Sequence, residues 1–162
     1  MVLLKPDCIG RGLETTILQE IRERGFDVVA VKPVRPTWAQ LRTFYAFALA
    51  HAPSWMALGL RTALCDRPCI VALVRRDLAV PHMKSLIGQV RDMPGPESYT
   101  IRSRFGRDSV AAALEAGRPV EDLLDVSAHE RAVPDDVVAW FGVPDTGLLA
   151  VPAHRGCRSP RI

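Results

Sequence analysis

The sequence predicts a single α/β or α+β sandwich in which strands and helices alternate along the chain. Two observations predict this class. Short apolar runs rich in β-branched residues recur along the chain, and segments with helical spacing of apolar residues lie between them. The length of 162 residues suits one domain with a sizeable core. The order of the elements alone leaves a parallel and an antiparallel sheet open.

The N-terminal segment predicts a strand followed by a helix. Residues 2–5 form an apolar run that stops at Pro6, as expected of a buried strand. Leu13, Ile17 and Ile21 then recur at four-residue spacing, and a glycine closes the segment at position 25. This pattern is typical of an amphipathic helix with a glycine stop.

A second strand and two further helices are predicted next. Residues 26–34 favour a strand, and Thr37 is a suitable cap for a helix that continues to residue 51. This helix should turn Tyr45 inward, together with neighbouring apolar residues. Residues 54–64 predict a further short helix.

The central part of the chain contains the most apolar strand. Residues 69–74 predict a central strand, and the segment up to residue 90 should be helical after Pro81. Residues 92–99 have the composition of a loop. Residues 110–117 predict a small helix that ends at its glycine.

The last elements are a strand and a helix before an irregular tail. The strand is expected within residues 120–126, and the helix begins around Pro134, a residue suited to a first turn. Residues 143–162 alternate proline, glycine and polar residues without periodicity. We therefore expect a domain over residues 1–142 and an irregular C-terminal tail over 143–162.

Composition excludes several classes of protein. The formal net charge of +3 indicates a solvated surface and lacks the basic stripe of a specific nucleic-acid binder. Cys65 and Cys69 have no second Cys or His pair, so no zinc site is predicted. The N-terminus shows neither a signal peptide nor a membrane span, and we expect a cytoplasmic protein with free thiols and no membrane partner.

Three motifs, in order, resemble the nucleoside diphosphate kinase family. They are LLKPDCIGRGLETTILQEIRERGFDVVAVK, PCIVALVRRDLAVPHMKSLIGQV and MPGPESYTIRSRFG, and Trp140-Phe141 closes the match. The resemblance covers residues 1–142. It implies a ferredoxin-like βαββαβ sandwich with an antiparallel sheet, assembled as a homo-oligomer. It also implies a histidine that relays a phosphoryl group between nucleotides, with Mg²⁺ accompanying the bound nucleotide and cations holding the phosphates.

Five residues fall on ligand-binding positions of the family. The resemblance implies that Lys5, Lys84 and Arg102 bind phosphate, with Lys84 replacing an arginine. It places Met56 and Leu60 at the nucleotide base, with Met56 replacing an aromatic residue. We expect the three cations to converge on one cleft.

Other positions depart from the family pattern. Ala48 stands where the resemblance places a tyrosine that assists the histidine, Val90 replaces a phosphate-binding threonine, and Cys8 replaces a glycine. The chain also has an extended loop at about residues 106–121. These departures indicate a divergent member.

The catalytic histidine is expected to be missing. An ungapped alignment back from Trp140-Phe141 places Asp125 at the histidine position, with Ser127 and Asp136 at two supporting positions. Asp122 then falls on the family's asparagine, and an alternative register puts Asp122 at the key position instead. We expect Asp125 at the inner end of the cleft, near Ser127 and Asp136.

His129 is the fallback nucleophile, and it requires a slip of four residues. Ser127 and Glu130 also have the spacing of a capping box, which would make His129 an exposed residue at a helix start.

The sequence therefore predicts a nucleotide- or phosphate-binding protein that is not an efficient kinase, and leaves two alternatives open. The first is an active nucleoside diphosphate kinase that transfers the γ-phosphate of ATP to nucleoside diphosphates through His129. The second is a repurposed enzyme that acts on a nucleotide-derived substrate through Asp125 or Asp122. No metal ligand among the protein's own residues is predicted.

Overall fold

The structure is a computed structural model that describes residues 1–90 and 99–142. The predicted tail, the Pro-Gly part of the third motif and all but Tyr99 of the predicted 92–99 loop lie outside these residues. In chain order the described elements are β1 (Val2–Leu4), α1 (Pro6–Gly10), α2 (Glu14–Glu23), β2 (Asp27–Val34), α3 (Trp38–Phe44), α4 (Ala46–Ala50), α5 (Ser54–Leu64), β3 (Cys69–Arg75), α6 (Ala79–Ile87), α7 (Ile101–Phe105), α8 (Val110–Glu115), β4 (Leu124–Val126), a 3₁₀ turn (Glu130–Ala132) and α9 (Val133–Phe141).

Four strands form one antiparallel sheet in the order β2-β3-β1-β4. Strand β1 lies between β3 and β4, where Leu3 pairs with Val71 on one side and with Asp125 on the other. Helix α2 connects β1 to β2, and α6 lies between β3 and β4 in the chain. The predicted ferredoxin-like βαββαβ sandwich is therefore confirmed.

Alternating residues of β1 supply two apolar layers. Val2 and Leu4 belong to one cluster, which includes residues of α2 and α6 such as Ile17 and Met83. Leu3 belongs to a second cluster that α3, α5 and α9 complete; its other members include Leu41, Phe44, Leu64, Val71 and Trp140. Full burial of one leucine side chain contributes roughly 1.5–3 kcal/mol. Both faces of the sheet are thus covered, and β1 is fixed from both sides.

Local signals set several element boundaries as expected. Thr37 caps α3, since its hydroxyl accepts from the Gln40 amide while the Gln40 side chain accepts from the Thr37 amide. Helix α5 spans the predicted residues 54–64. Helix α8 follows the Ser109 cap, and Gly117 adopts a positive φ of 63° shortly after its end.

Other boundaries differ from the prediction. The predicted helix over residues 38–51 is two helices that break at Tyr45. Helix α6 begins at Ala79 rather than after Pro81, because proline is tolerated in a first turn, where its missing N–H costs nothing. Helices α1 and α7 and the 3₁₀ turn were not predicted; each is five residues or shorter, too short to show helical periodicity.

None of the helices in the described ranges has the length and apolar character needed to cross a membrane.

Candidate functional site

A large cavity of about 1410 Å³ opens beside the ends of β1 and β4. Lys5, which follows β1, and Asp122, which precedes β4, lie at its buried end. Helices α5, α6 and α8 contribute to the surrounding walls. The sheet therefore fixes the polar end of the cavity, and helices form its sides.

The backbone turns sharply at Leu123, immediately before β4. Leu123 has a φ of 72°, in the left-handed region that side-chain-bearing residues seldom adopt. Its N–H donates to Asp7 Oδ2 at 2.9 Å, and its carbonyl accepts from the Lys5 N–H at 2.8 Å. Because this turn interrupts strand alternation, the carboxylates of Asp122 and Asp125 reach the same two cations.

Lys5, Arg102, Asp122 and Asp125 form what we call the charged cluster. Lys5 Nζ contacts Asp122 Oδ1 and lies 2.8 Å from Asp125 Oδ2. Arg102 Nη2 lies 2.8 Å from Asp122 Oδ2 and 2.9 Å from Asp125 Oδ1. Each of the four carboxylate oxygens therefore pairs with a cation, and the cluster is neutral overall. The sequence prediction missed this pairing of Asp122 with the cations.

Arg102 also holds the backbone around the cluster. Its Nε donates to the Asp122 carbonyl at 3.1 Å, Nη1 to the Gly88 carbonyl at 2.9 Å and Nη2 to the Leu124 carbonyl at 2.6 Å. The guanidinium is buried within these contacts. Arg102 thus joins the end of α6 to the start of β4.

The protonation states follow from the geometry of the charged cluster. Burial opposes ionisation of Asp125, but Lys5 and Arg102 outweigh it and hold the pKa of this carboxyl at about 2. Burial, followed by the charge of Asp125, raises the pKa of Asp122. Burial alone would lower the pKa of Lys5, yet the two carboxylates raise it. Lys5 therefore remains protonated.

Tyr45 completes the cluster at the break between α3 and α4. Its hydroxyl donates to Asp125 Oδ2 at 2.5 Å. Burial and then the Asp125 charge raise the pKa of Tyr45 well above its ordinary value, so the hydroxyl keeps its proton. The resemblance places a family tyrosine at Ala48, whereas in the structure Tyr45, three residues earlier, brings a hydroxyl to Asp125. The signal was present in the sequence, since helical spacing turned Tyr45 inward.

Lys84, Met56 and Leu60 also line the cavity, so the structure places all three predicted cations along one cleft. Lys5 and Arg102 lie in the charged cluster, whereas Lys84 on α6 donates to the Ala128 carbonyl and forms no ion pair with a described residue. Val90 lines the cavity too. The phosphate- and base-binding roles of these residues stay predictions.

Ser127 and Asp136 lie in a different polar group from Asp125. Ser127 Oγ accepts from the Met1 ammonium at 3.0 Å, and Asp136 lies fully buried beside them. Burial raises the pKa of Asp136 to about 6 against the opposing effects of Ser127 and Met1. Within the described ranges no hydrogen bond or ion pair connects this group to Asp125. The carboxylate that shares its two cations with Asp125 is Asp122, and the expected nearness of Asp125 to Ser127 and Asp136 stays a prediction.

His129 lies at the start of the 3₁₀ turn and is not among the described residues that line the cavity. Its Nδ1 accepts from the Ala132 N–H at 3.1 Å, and its ring packs edge-on against Phe47 with centroids 5.8 Å apart. The expected capping box of Ser127 and Glu130 is wrong, because His129 is itself the cap and Ser127 bonds to Met1. The helix start predicted for His129 is confirmed.

The extended loop at 106–121 carries α8 and is held by one buried carboxylate. Asp108 accepts from both terminal nitrogens of Arg118 and from the amides of Ser109 and Glu121. The hydrogen bonds from the Arg118 guanidinium are the largest influence on the pKa of Asp108, and they lower it. The loop packs on α5 at Gly59, where a Cβ would lie 3.3 Å from Pro119 Cγ.

The sheet order, together with the cavity beside the ends of β1 and β4, defines a ferredoxin-like α/β sandwich with its candidate site at the strand ends. A family model described as "Nucleoside diphosphate kinase" matches residues 1–139. A nucleoside diphosphate kinase of Chlorobium limicola is 30% identical over 128 residues, which cover 72% of this chain and 89% of the relative. The chain belongs to the nucleoside diphosphate kinase family.

Solved structures share the fold at low identity. A nucleoside-diphosphate kinase from Borrelia burgdorferi, described as a transition state mimic with bound vanadate and ADP, has a TM-score of 0.80 and 20% identity, covering 94% of this chain and 90% of that one. An NDP kinase from Pyrobaculum aerophilum has a TM-score of 0.75 and 22% identity, covering 92% and 97% of the two chains. These likenesses establish the fold.

Proposed function

We propose that this member of the family binds a nucleotide in the cavity but does not relay a phosphoryl group efficiently. One observation carries the proposal: the groups that face Lys5 and Arg102 are two carboxylates, Asp122 and Asp125. The described residues that line the cavity include no histidine. In the ungapped alignment Asp125 takes the place that the family resemblance gives to the phosphate carrier, and in the alternative register Asp122 does.

A carboxylate in this setting is a poor phosphate carrier. Formation of an acyl phosphate needs a carboxylate oxygen with a free lone pair aimed at phosphorus, while the bond from phosphorus to the leaving diphosphate breaks. Asp125 Oδ1 pairs with Arg102, and Oδ2 pairs with Lys5 and accepts from Tyr45. An incoming γ-phosphate also meets two like charges in a partly dry site. These contacts disfavour the repurposed enzyme as well.

The competing function, a working kinase that uses His129, has less support. The His129 ring is engaged by Ala132 and Phe47, as described above. Phosphoryl transfer depends on alignment and on charge placed around the transferred group. The paired cations of the cluster do not surround this ring.

The proposal places Mg²⁺ on the nucleotide phosphates. The described residues contain no group of three or more His, Cys, Asp or Glu side chains arranged to hold a metal ion. The four carboxylate oxygens of the charged cluster are already paired with cations, so no protein ligand is assigned to the metal. The family resemblance further supports a homo-oligomer, and the sequence leads us to expect a cytoplasmic location; light scattering would test the first and cell fractionation the second.

The test is phosphoryl exchange between ATP and a nucleoside diphosphate, with the radiolabel on the protein followed in parallel. We expect little exchange and no acid-labile, base-stable phosphohistidine in the unaltered chain or in His129→Ala. Asp125→His should gain exchange. His82→Ala is the matched control, since His82 is exposed and does not line the cavity.

Robust exchange that His129→Ala abolishes and His82→Ala leaves intact would restore the kinase and overturn the proposal. A base-labile label that disappears in Asp125→Asn would assign an acyl phosphate to Asp125 and overturn it in favour of the repurposed enzyme. Equilibrium dialysis with ADP tests the binding half separately, and Lys5→Ala should weaken any binding that is measured.

A further inference from the structure

The cavity contains a broad apolar surface that a nucleotide phosphate chain does not use. Phe47, Trp55, Leu58, Val110 and Leu114 all line it, and we call these five residues the apolar wall. Each side chain is between 51% and 77% exposed. Clusters of exposed large apolar side chains commonly mark interaction sites.

The apolar wall is assembled from two parts of the chain. Helices α4 and α5 supply its first three members, and the extended loop supplies Val110 and Leu114 through α8. The two parts lie close together at Gly59, where a Cβ would be 3.3 Å from Pro119 Cγ. The wall is therefore assembled from defined elements, and the loop that carries two of its five members is held by the Asp108–Arg118 pair.

The volume of the cavity also exceeds the usual need of a small ligand. It measures about 1410 Å³, whereas ligand pockets span roughly 300–1,000 Å³. The apolar wall lines this cavity, so a ligand that fills the cavity carries an extended apolar group.

The charges along the cavity determine the polar end of this ligand. The charged cluster is neutral, and Arg118 pairs with Asp108. Lys84 is the cation that forms no ion pair with a described residue. Among the described residues, one unpaired cation beside a neutral cluster complements a ligand group with a single negative charge.

We propose that the cavity binds a small amphiphile that places one anionic group near Lys84 and an extended apolar group against the apolar wall. A medium-chain carboxylate has this chemistry. The inference concerns the same cavity as the proposed nucleotide site, so the two kinds of ligand would compete for it.

The first experiment titrates the full chain with 1-anilinonaphthalene-8-sulfonate, whose single sulfonate and aromatic rings match the ligand class. We expect saturable binding to one site per chain, with a Kd that rises at least tenfold in Leu58→Glu and in Leu114→Glu. Leu78→Glu is the matched control, because Leu78 is also exposed but does not line the cavity. An equal Kd in all variants would overturn the proposal.

The second experiment tests the charge of the ligand by displacing the dye. Decanoate should displace it at concentrations about tenfold lower than decanol or decylammonium, and Lys84→Gln should remove this preference. Equal potency of the three compounds on the unaltered chain would refute the charge assignment. Displacement of the dye by ATP at a lower concentration than decanoate would show that the cavity prefers a nucleotide polyphosphate. That result would overturn this inference and support the proposed function.

A third measurement separates a ligand from a second copy of the chain. Light scattering on the unaltered protein and on Leu114→Glu should give the same mass at equal concentration. A smaller mass for the variant would identify the apolar wall as an interface between copies and would overturn the ligand proposal.

Discussion

Replacement of Asp125 by asparagine should convert the charged cluster from a neutral group into an anion site. In the unaltered chain Asp125 lies 2.8 Å from Lys5 Nζ and 2.9 Å from Arg102 Nη2. The substitution leaves the two cations facing one carboxylate, Asp122, and gives the cluster a net positive charge. A phosphate group can then approach Lys5 without meeting the second carboxylate.

The size of the effect follows from the distances. Two unit charges 4 Å apart interact by about 4 kcal/mol at an effective dielectric of ~20. The Asp125 side chain is 21% exposed, so solvent reduces this repulsion. We therefore expect Asp125→Asn to strengthen ADP binding by about 1.4–2 kcal/mol, which is roughly ten- to thirtyfold.

The same substitution should lower the stability of the protein without bound ligand. Loss of one partner from a buried ion pair typically costs about 3–5 kcal/mol, because the other charge is left uncompensated. Unfolding of Asp125→Asn should occur at lower temperature, and inorganic pyrophosphate should restore much of the difference by taking the place of the missing carboxylate.

Isothermal titration with ADP at low and high salt measures the gain, and thermal unfolding with and without pyrophosphate measures the rescue. Asp27→Asn is the control, since Asp27 pairs with Arg75 on the surface and neither residue lines the cavity. A folded Asp125→Asn protein that binds ADP no more tightly than the unaltered chain, and that pyrophosphate does not stabilise, would refute the reasoning.

Three further predictions concern stability. Tyr45→Phe removes a hydrogen bond to a charged group and should lower the free energy of unfolding in urea by about 1.5–3 kcal/mol; an unchanged value would contradict a buried hydrogen bond. The pKa of Asp136 is about 6 in the folded state against an ordinary value of 3.8. Between these two pH values the folded chain therefore binds one more proton than the unfolded chain. The contribution of Asp136 to the free energy of unfolding consequently falls as the pH rises from about 4 to 6. Asp136→Asn should therefore gain stability relative to the unaltered chain between pH 4 and 7, by at most about 3 kcal/mol, and a constant difference in urea unfolding would refute this. Gly88→Ala should destabilise the fold by about 1–3 kcal/mol, because the new Cβ would clash with the Thr100 side chain at a φ of 77°. Gly12→Ala is the control for the backbone cost alone, since Gly12 has a φ of 63° and open space around it. Equal losses of stability in the two variants would contradict the steric argument.

The fold could be predicted because its signals are local or come in long ordered motifs. The four residues from Thr37 to Gln40 are enough to predict the helix cap, and the apolar run of β3 by itself predicts a buried strand. The antiparallel order of the strands came from the family resemblance, since the alternation of elements is compatible with either kind of sheet. The short helices were missed because one turn carries no periodic signal.

The site was predicted less completely, because its main contacts depend on a backbone turn. Lys5 and Arg102 were assigned from motifs, but in a regular strand Asp122 and Asp125 would face opposite sides of the sheet. The positive φ of Leu123 brings them together, and leucine gives no sequence signal of such a conformation. Tyr45 was placed inward by helical spacing, whereas its partner, Asp125, lies 80 residues away and follows from the tertiary structure alone.

The contacts of Arg102 have a mechanical consequence. Its guanidinium ties the Gly88 carbonyl, at the end of α6, to the carbonyls of Asp122 and Leu124 at β4, whereas Lys5 holds the cluster through one linear side chain. A ligand that attracts Lys5 needs to move a single ammonium group, but a ligand that attracts Arg102 pulls on two elements of the fold at once. The two cations therefore differ in what their movement changes. The Lys5 side chain can turn toward a bound ligand while the backbone stays in place, whereas movement of Arg102 breaks hydrogen bonds to the end of α6 and to β4.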